Sequence, residues 1–324
     1  MTSRLHDALA ARLALVPGPA LGPQQVLRRD APGGLEPPDY RSANRHCRLL
    51  QTRDGWVALN LAREEDRELI AALVGENVRA GAEWEAAVAY AATSSAAEFR
   101  DRAVLLQLPV AVLGEVPQQP LTQPAQIAVP RRVIDLSALW AGPLCAGLLA
   151  RAGAQVVRIE STGRPDPTRN GSPGLDHFLN DGKQLLPLDL RSTTDRARLL
   201  DLIAGADALI TSARPAALAR LGLSPEIVMD ANPSLIWAAI TAHGWHGPGA
   251  QRVGFGDDCA VAGRLVDWQD GAPQFMGDAL ADPLTGVEAA LAVCGAQDGG
   301  LIDLAMAQIA AGYAARIGGA ITGG

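Results

Sequence analysis

A few places in the chain carry side chains whose types and spacing could support chemistry. Asp282 stands in Ala281-Asp282-Pro283-Leu284-Thr285-Gly286, just ahead of an apolar run. An Asp followed by proline reads as a helix N-cap with proline at the first helical position, and a carboxylate there stays ionised beside the positive end of the dipole. Asp257 and Asp258 could act as paired general acids, but adjacent acids in a loop are expected to be solvated. His243 and His246 flank Gly244-Trp245 at i, i+3; no third ligand stands nearby in the sequence, so no metal is expected. Lys183, Arg214, Arg220, Arg158, Arg164 and Arg169, each taken alone, read as solvated surface charges. Cys145, Trp84, Trp237 and Trp268 read as packing residues.

The elements that must position these groups follow from periodicity and punctuation. A Pro- and Gln-rich stretch, Val116 to Pro130, reads as an extended linker between two units. Before it, residues 1–115 read as a small α+β domain. Its Pro- and Gly-rich run from Pro17 to Pro38 is irregular, and strands over Cys47–Gln51 and Trp56–Leu61 join at the hairpin signal Arg53-Asp54-Gly55. Helices are expected over Glu64–Val74, Trp84–Ala92 and Ser95–Leu108. After it, over 131–324, strands at Val133–Leu136, Gln155–Glu160, Ala208–Thr211 and Leu235–Thr241 alternate with helices at Pro143–Ala152, Thr193–Ala204 and Pro215–Leu221. That alternation predicts an α/β domain with a Rossmann-like parallel sheet and crossover helices. Two late helices are expected over Gly286–Cys294 and Leu301–Tyr313, and the glycine-rich tail from Gly318 is assigned no structure.

Composition narrows the function. Of 324 residues, 48% are hydrophobic and 19% charged, which excludes a disordered chain. Lys and Arg number 28 against 35 Asp and Glu, the wrong balance for a nucleic-acid binder. The stretch from Ala8 to Leu21 is apolar, but Arg12, Pro17 and Pro19 interrupt it, so neither a signal sequence nor a membrane span is expected. Cys47, Cys145, Cys259 and Cys294 match no CxxC or zinc spacing, which points to a reducing compartment, the cytoplasm. A dinucleotide oxidoreductase is disfavoured: the first strand-to-helix turn, Ser-Ala-Leu-Trp-Ala-Gly-Pro, holds only Gly142 and no GxGxxG, and no Walker A motif occurs.

The segment VIDLSALWAGPLCAGLLARAGAQVVRIE, Val133 to Glu160, resembles the opening of the class III CoA-transferases, the CaiB/BaiF family. The resemblance continues in one register through DPTR (Asp166–Arg169), LNDGKQLLPLDL (Leu179–Leu190) and ADALITSARPAALARLGL (Ala206–Leu223). NPSLIWAAITAHGWHGPG (Asn232–Gly249) and GDALADPLTGVEAALAV (Gly277–Val293) extend it. It implies a CoA-transferase that moves CoA from an acyl-CoA donor to a carboxylic acid acceptor. Asp282 is then the nucleophile, passing through a mixed anhydride and an aspartyl-CoA thioester, with backbone N–H groups near Gly286 or a helix N-terminus steadying the oxyanions. It further implies coenzyme A phosphates at Lys183 and Arg220 with Asn180 and Arg214 close by, pantetheine along Ser137, Ala138, Leu139 and Trp140, and an interlocked homodimer.

The sequence also departs from that family. Trp140 stands where many transferases carry Gln, Ser161 replaces a common Arg, and Phe255 occupies the place of the racemases' histidine, which disfavours an α-methylacyl-CoA racemase. The small domain precedes the large one, as in a circular permutation. A CoA-ester racemase or isomerase and a non-catalytic CoA-binding paralogue stay open as alternatives.

Overall fold

The alternation of apolar strand-forming runs with amphipathic helices beyond residue 130 folds into one sheet. The structure, a computed structural model, describes residues 3–31 and 33–318, so all but Gly318 of the glycine-rich tail lies outside the described residues. In chain order the strands are β1 (Cys47–Gln51), β2 (Trp56–Asn60), β3 (Val110–Val112), β4 (Arg132–Leu136), β5 (Gln155–Ser161), β6 (Gln184–Leu188), β7 (Ala208–Thr211), β8 (Ile236–Thr241), β9 (Val266–Gln269), β10 (Ala272–Phe275) and β11 (Gly300–Ala305). Six form a sheet in the order β11-β8-β7-β4-β5-β6 with every pairing parallel. The order reverses between β4 and β7, the switch point at which doubly wound sheets open a crevice at their carboxyl ends. β7 is buried throughout, as a central strand covered on both faces must be.

Helices cover both faces. Ala141–Arg151 and Ala281–Gly295 lie against each other in the main core with Met306–Arg316 beside them. Gly286 sets their approach: a Cβ there would sit 2.8 Å from the Ala141 carbonyl oxygen and 2.8 Å from Leu144 Cβ. Thr193–Ala204 and Pro225–Ala231 close the other face, each N-capped by a serine, Ser192 and Ser224.

The small unit is the antiparallel sheet β1-β2-β3, with the expected Arg53-Asp54-Gly55 turn between β1 and β2. Helices Glu83–Thr93 and Ala96–Leu105 pack on one face around Leu59, Leu73 and Phe99, the second started by a Ser95/Glu98 capping box. Its other face is covered by helix Gly256–Ala262 and the β9-β10 hairpin, through Cys47, Leu49, Ala58, Val261 and Phe275.

Several elements differ from the sequence reading. Leu301–Tyr313 is not one helix: Leu301 to Leu304 extend as β11 on the sheet edge beside β8, and the helix begins at Met306. β6 contains Pro187, tolerated because β6 is an edge strand. The β9-β10 hairpin turns on Asp270-Gly271, both at positive φ, as a primed turn requires. Glu64–Val74 splits into Glu64–Glu68 and Ile70–Val74. A helix over Ser3–Leu13 sends Leu5, Leu9 and Leu13 into the core of the large sheet, not into the small unit.

Candidate active site

Two helix starts face each other beside the large sheet. Helix Ala281–Gly295 carries Asp282 in its first turn; Leu280 is the N-cap, so Asp282 lies inside the helix and does not cap it, while still feeling the positive dipole end. Gly286 is deeper in the same helix, where its N–H belongs to the i−4 ladder, so the oxyanion role implied for that position has no free donor. Helix Gly256–Ala262 begins opposite. A Cβ on Gly256 would stand 2.4 Å from Asp282 Oδ2 and 2.3 Å from the Ala279 carbonyl oxygen, so the Gly256 backbone lies against the Asp282 carboxyl.

Asp257 and Asp258 are not solvated as the sequence suggested; both are buried in the first turn of that helix. Asp257 Oδ1 accepts the Ala279 N–H at 2.8 Å and Oδ2 accepts Asn44 Nδ2 at 2.9 Å. Ala279 has φ of 44°, a left-handed conformation that costs of order 1–3 kcal/mol and that this bond helps hold. Asn44 Nδ2 also reaches Asp278 Oδ1 at 3.1 Å, and the Asp278 carboxylate is paired with Arg29. The Arg29 guanidinium lies over the Trp140 ring, 5.5 Å from its centroid.

Three carboxyls thus share one arginine. Burial pushes Asp282 up to about 7, with Asp257 and Asp278 adding repulsion against the pull of Arg29 and Gly256. Asp282 nevertheless keeps part of its side chain accessible. Burial and the Asp278 charge push Asp257 up to about 6. Burial and mutual repulsion thus raise Asp257 and Asp282 together, as in carboxyl pairs tuned for acid–base or nucleophilic work.

The second half of the site is the crevice at the β4/β7 switch point. The turn Ser137–Trp140 leaves β4 with its backbone fixed: Ala138 N–H donates to Ser212 Oγ at 2.9 Å and Leu139 N–H to Asp166 Oδ2 at 2.9 Å. Leu139 sits at φ of 70°, and Gly142 leaves the space into which Ser137 folds. Trp140 is buried and ends the turn.

The cations divide in two. Lys183 does not face solvent: its ammonium donates to Asp135 Oδ2 at 2.8 Å, the Pro143 carbonyl oxygen at 2.8 Å and Asn180 Oδ1 at 3.1 Å, which uses all three N–H donors. Asn180 is equally committed, to Arg158, Lys183 and Asp176. Burial opposes the charge on Asp135, but Lys183 and Arg158 outweigh it and hold that carboxyl below its usual range. By contrast Arg164, Arg214 and Arg220 enter no salt bridge among the described residues. Burial, then Arg63, Arg220 and Arg164, push the Arg214 guanidinium below its ordinary value, so these arginines form one positive patch beside β7. Arg29, Asn44 and Asp278 carry no motif in the sequence; Arg29 lies in the Pro- and Gly-rich run that has no period to read.

His243 and His246 do not converge. His246 is exposed, whereas His243 meets Asp258 and Cys259.

With this geometry in view, the family is identified: the model of CoA-transferase family III matches residues 131–315, and the chain belongs to that family. Among curated relatives it is 32% identical over 190 residues to a probable fatty acyl-CoA transferase of Mycobacterium tuberculosis, covering 55% of this chain and 48% of that one. It is 32% identical over 180 residues to a succinate–glutarate CoA-transferase of Agrobacterium fabrum, covering 50% and 44%. Among solved structures a CaiB/BaiF family protein from Brucella suis aligns with a TM-score of 0.54 at 30% identity, covering 59% of this chain and 56% of that chain. The chain spans about half the length of the curated relatives it matches.

Proposed function

We propose that this protein transfers CoA from an acyl-CoA to a carboxylic acid, with Asp282 as nucleophile. The observation that carries the reading is Asp282: a half-buried residue in the first turn of a helix, its carboxyl set against the Gly256 backbone and pushed up to about 7. A carboxylate with raised affinity for a proton is a better nucleophile than an ordinary one.

In the first step an Asp282 oxygen attacks the thioester carbonyl carbon, the C–S bond breaks, and CoA leaves as thiolate from a mixed anhydride. The thiolate then attacks the Asp282 carbonyl carbon and expels the donor acid as carboxylate, leaving an aspartyl-CoA thioester. The acceptor carboxylate attacks that thioester to form a second anhydride, and CoA thiolate attacks its acyl carbon, which frees Asp282. No proton is consumed, and enclosure of the site preserves the anhydride from water. CoA phosphates meet Arg164, Arg214 and Arg220, and pantetheine follows Ser137–Trp140; Lys183 and Asn180 hold the base of that turn from behind. A cytoplasmic location and a homodimer belong to the same reading.

The test is incubation with a panel of acyl-CoAs, hydroxylamine trapping and mass spectrometry of the peptide containing Asp282. A hydroxamate on Asp282, absent from Asp282→Asn, is expected; binding of CoA without any adduct overturns the mechanism. The proximity of Asp257 to Asp282 favours a second reading, acid–base exchange at the α-carbon of a CoA ester. Deuterium uptake at that carbon without an acceptor acid would mark it.

A further inference from the structure

Beside the carboxyl cluster, His243, Asp258 and Cys259 each bring one possible ligand atom to within 4.8 Å of the others. They come from two separate elements, the loop after β8 and the first turn of helix Gly256–Ala262. His243 Nε2 is buried and has no hydrogen-bond partner, an orphan that a buried imidazole does not normally leave. Residue 254 packs directly on these groups and only glycine fits there: a Cβ would stand 2.8 Å from Asp258 Oδ2, 2.8 Å from Ala242 Cβ and 3.0 Å from Cys259 Sγ. Asp258 is oriented from behind, accepting from Asn60 Nδ2 at 3.1 Å and from the Phe255 N–H at 3.0 Å, as carboxylate ligands of metal sites are. Cys259 Sγ is held by two long contacts, to the Ala242 carbonyl oxygen at 3.7 Å and to Asp258 Oδ2 at 4.0 Å.

We propose that His243, Asp258 and Cys259 form a site for one borderline-soft divalent cation of the zinc or cobalt type. Imidazole, thiolate and carboxylate suit such an ion and reject magnesium and calcium, which prefer all-oxygen ligand sets. Tetrahedral ligation places donor atoms roughly 3.5 Å apart, so closure by about an ångström brings the three to one ion, with a fourth position left for water. Binding deprotonates the Cys259 thiol, whose proton passes to solvent, and the dication then neutralises one thiolate and one carboxylate. Arg252, near His243 and Cys259, is already paired with Glu115 at 2.7 Å. The ion would tie the His243 loop to the helix that packs on the small unit.

The experiment is titration of the chelator-treated full chain with cobalt(II). One equivalent is expected to give visible d–d bands and a near-ultraviolet thiolate-to-cobalt charge-transfer band. Cys259→Ser should lose the charge-transfer band, His243→Ala should weaken cobalt binding at least tenfold, and His246→Ala should change neither. Circular dichroism checks that the variants fold. With the unmutated chain alone, saturating zinc should raise the melting temperature. A charge-transfer band that persists in Cys259→Ser, or no saturable cobalt band and no zinc shift in the unmutated chain, overturns the proposal.

Discussion

Asp282 Oδ2 occupies the space that a side chain on Gly256 would take, 2.4 Å from the Cβ position. The two helix starts approach so closely that the carboxylate lies against backbone and has no cation of its own among the described residues. Gly256→Ala must therefore displace either the Asp282 carboxyl or the backbone at Ala279. The expected result is a fall in kcat/KM of about 100-fold, the usual scale for a misplacement of about an ångström, read by steady-state CoA-transfer kinetics.

The pH profile should report the same cluster. Asp282 attacks only as carboxylate, so kcat/KM should fall as pH drops through about 7. Asp257→Asn removes one of the repelling charges and should move that midpoint down; Arg29→Gln removes the opposing cation and should move it up. Stability runs the other way. The folded protein binds the Asp282 proton more tightly than the unfolded chain, so its contribution is present below the ordinary value of 3.8 and is lost as pH rises toward about 7. Urea titrations of Asp282→Asn across that range should show a weaker dependence.

Arg214→Ala and Arg220→Ala should each weaken CoA binding about tenfold, the scale of one hydrogen bond to a charged group, and more so at low salt. Isothermal titration with CoA and with 3′-dephospho-CoA tells which phosphate is lost. Lys183→Met should act differently. Its ammonium is consumed inside the protein, so the variant leaves buried Asp135 with Arg158 alone, 3.9 Å away, and should cost about 3 kcal/mol in urea unfolding.

Arg12 and Glu288 make a buried ion pair that Tyr313 completes by donating its hydroxyl to Glu288 Oε1 at 2.9 Å. Arg12→Ala strands a buried carboxylate and should cost about 3–5 kcal/mol, measured by chemical denaturation. The double variant Arg12→Met, Glu288→Leu should recover part of that loss.

The parallel sheet was legible because β4, β7 and β8 are short apolar runs with helical spacing between them. β11 was not: Leu301 to Leu304 fit either period, and only the free edge of β8 decides in favour of a strand. Asp282 could be read from its neighbourhood, although as a cap, and its position inside the helix depends on Leu280 taking that place. Asp257 and Asp258 were misjudged because their burial comes from β1, β2 and Asn44, remote in sequence. Arg29 offered no local signal at all, since what gives it meaning is contact with Asp278 and Trp140 across the fold. Lys183 stood correctly near Asn180, but sequence could not tell an inward ammonium from an outward one.

The contact between Arg12 and Glu288 spans 276 positions along the chain. On the ribosome the first helix therefore emerges long before the partner that neutralises it. Residues 47–112 pair among themselves and can order one face of their sheet early, while the other face waits for the helix Gly256–Ala262 and the core under the large sheet closes only when the helix from Ala281 arrives. During that interval Leu5, Leu9 and Leu13 form an exposed apolar stripe beside an uncompensated arginine, a feature that a chaperone could hold and that final assembly removes.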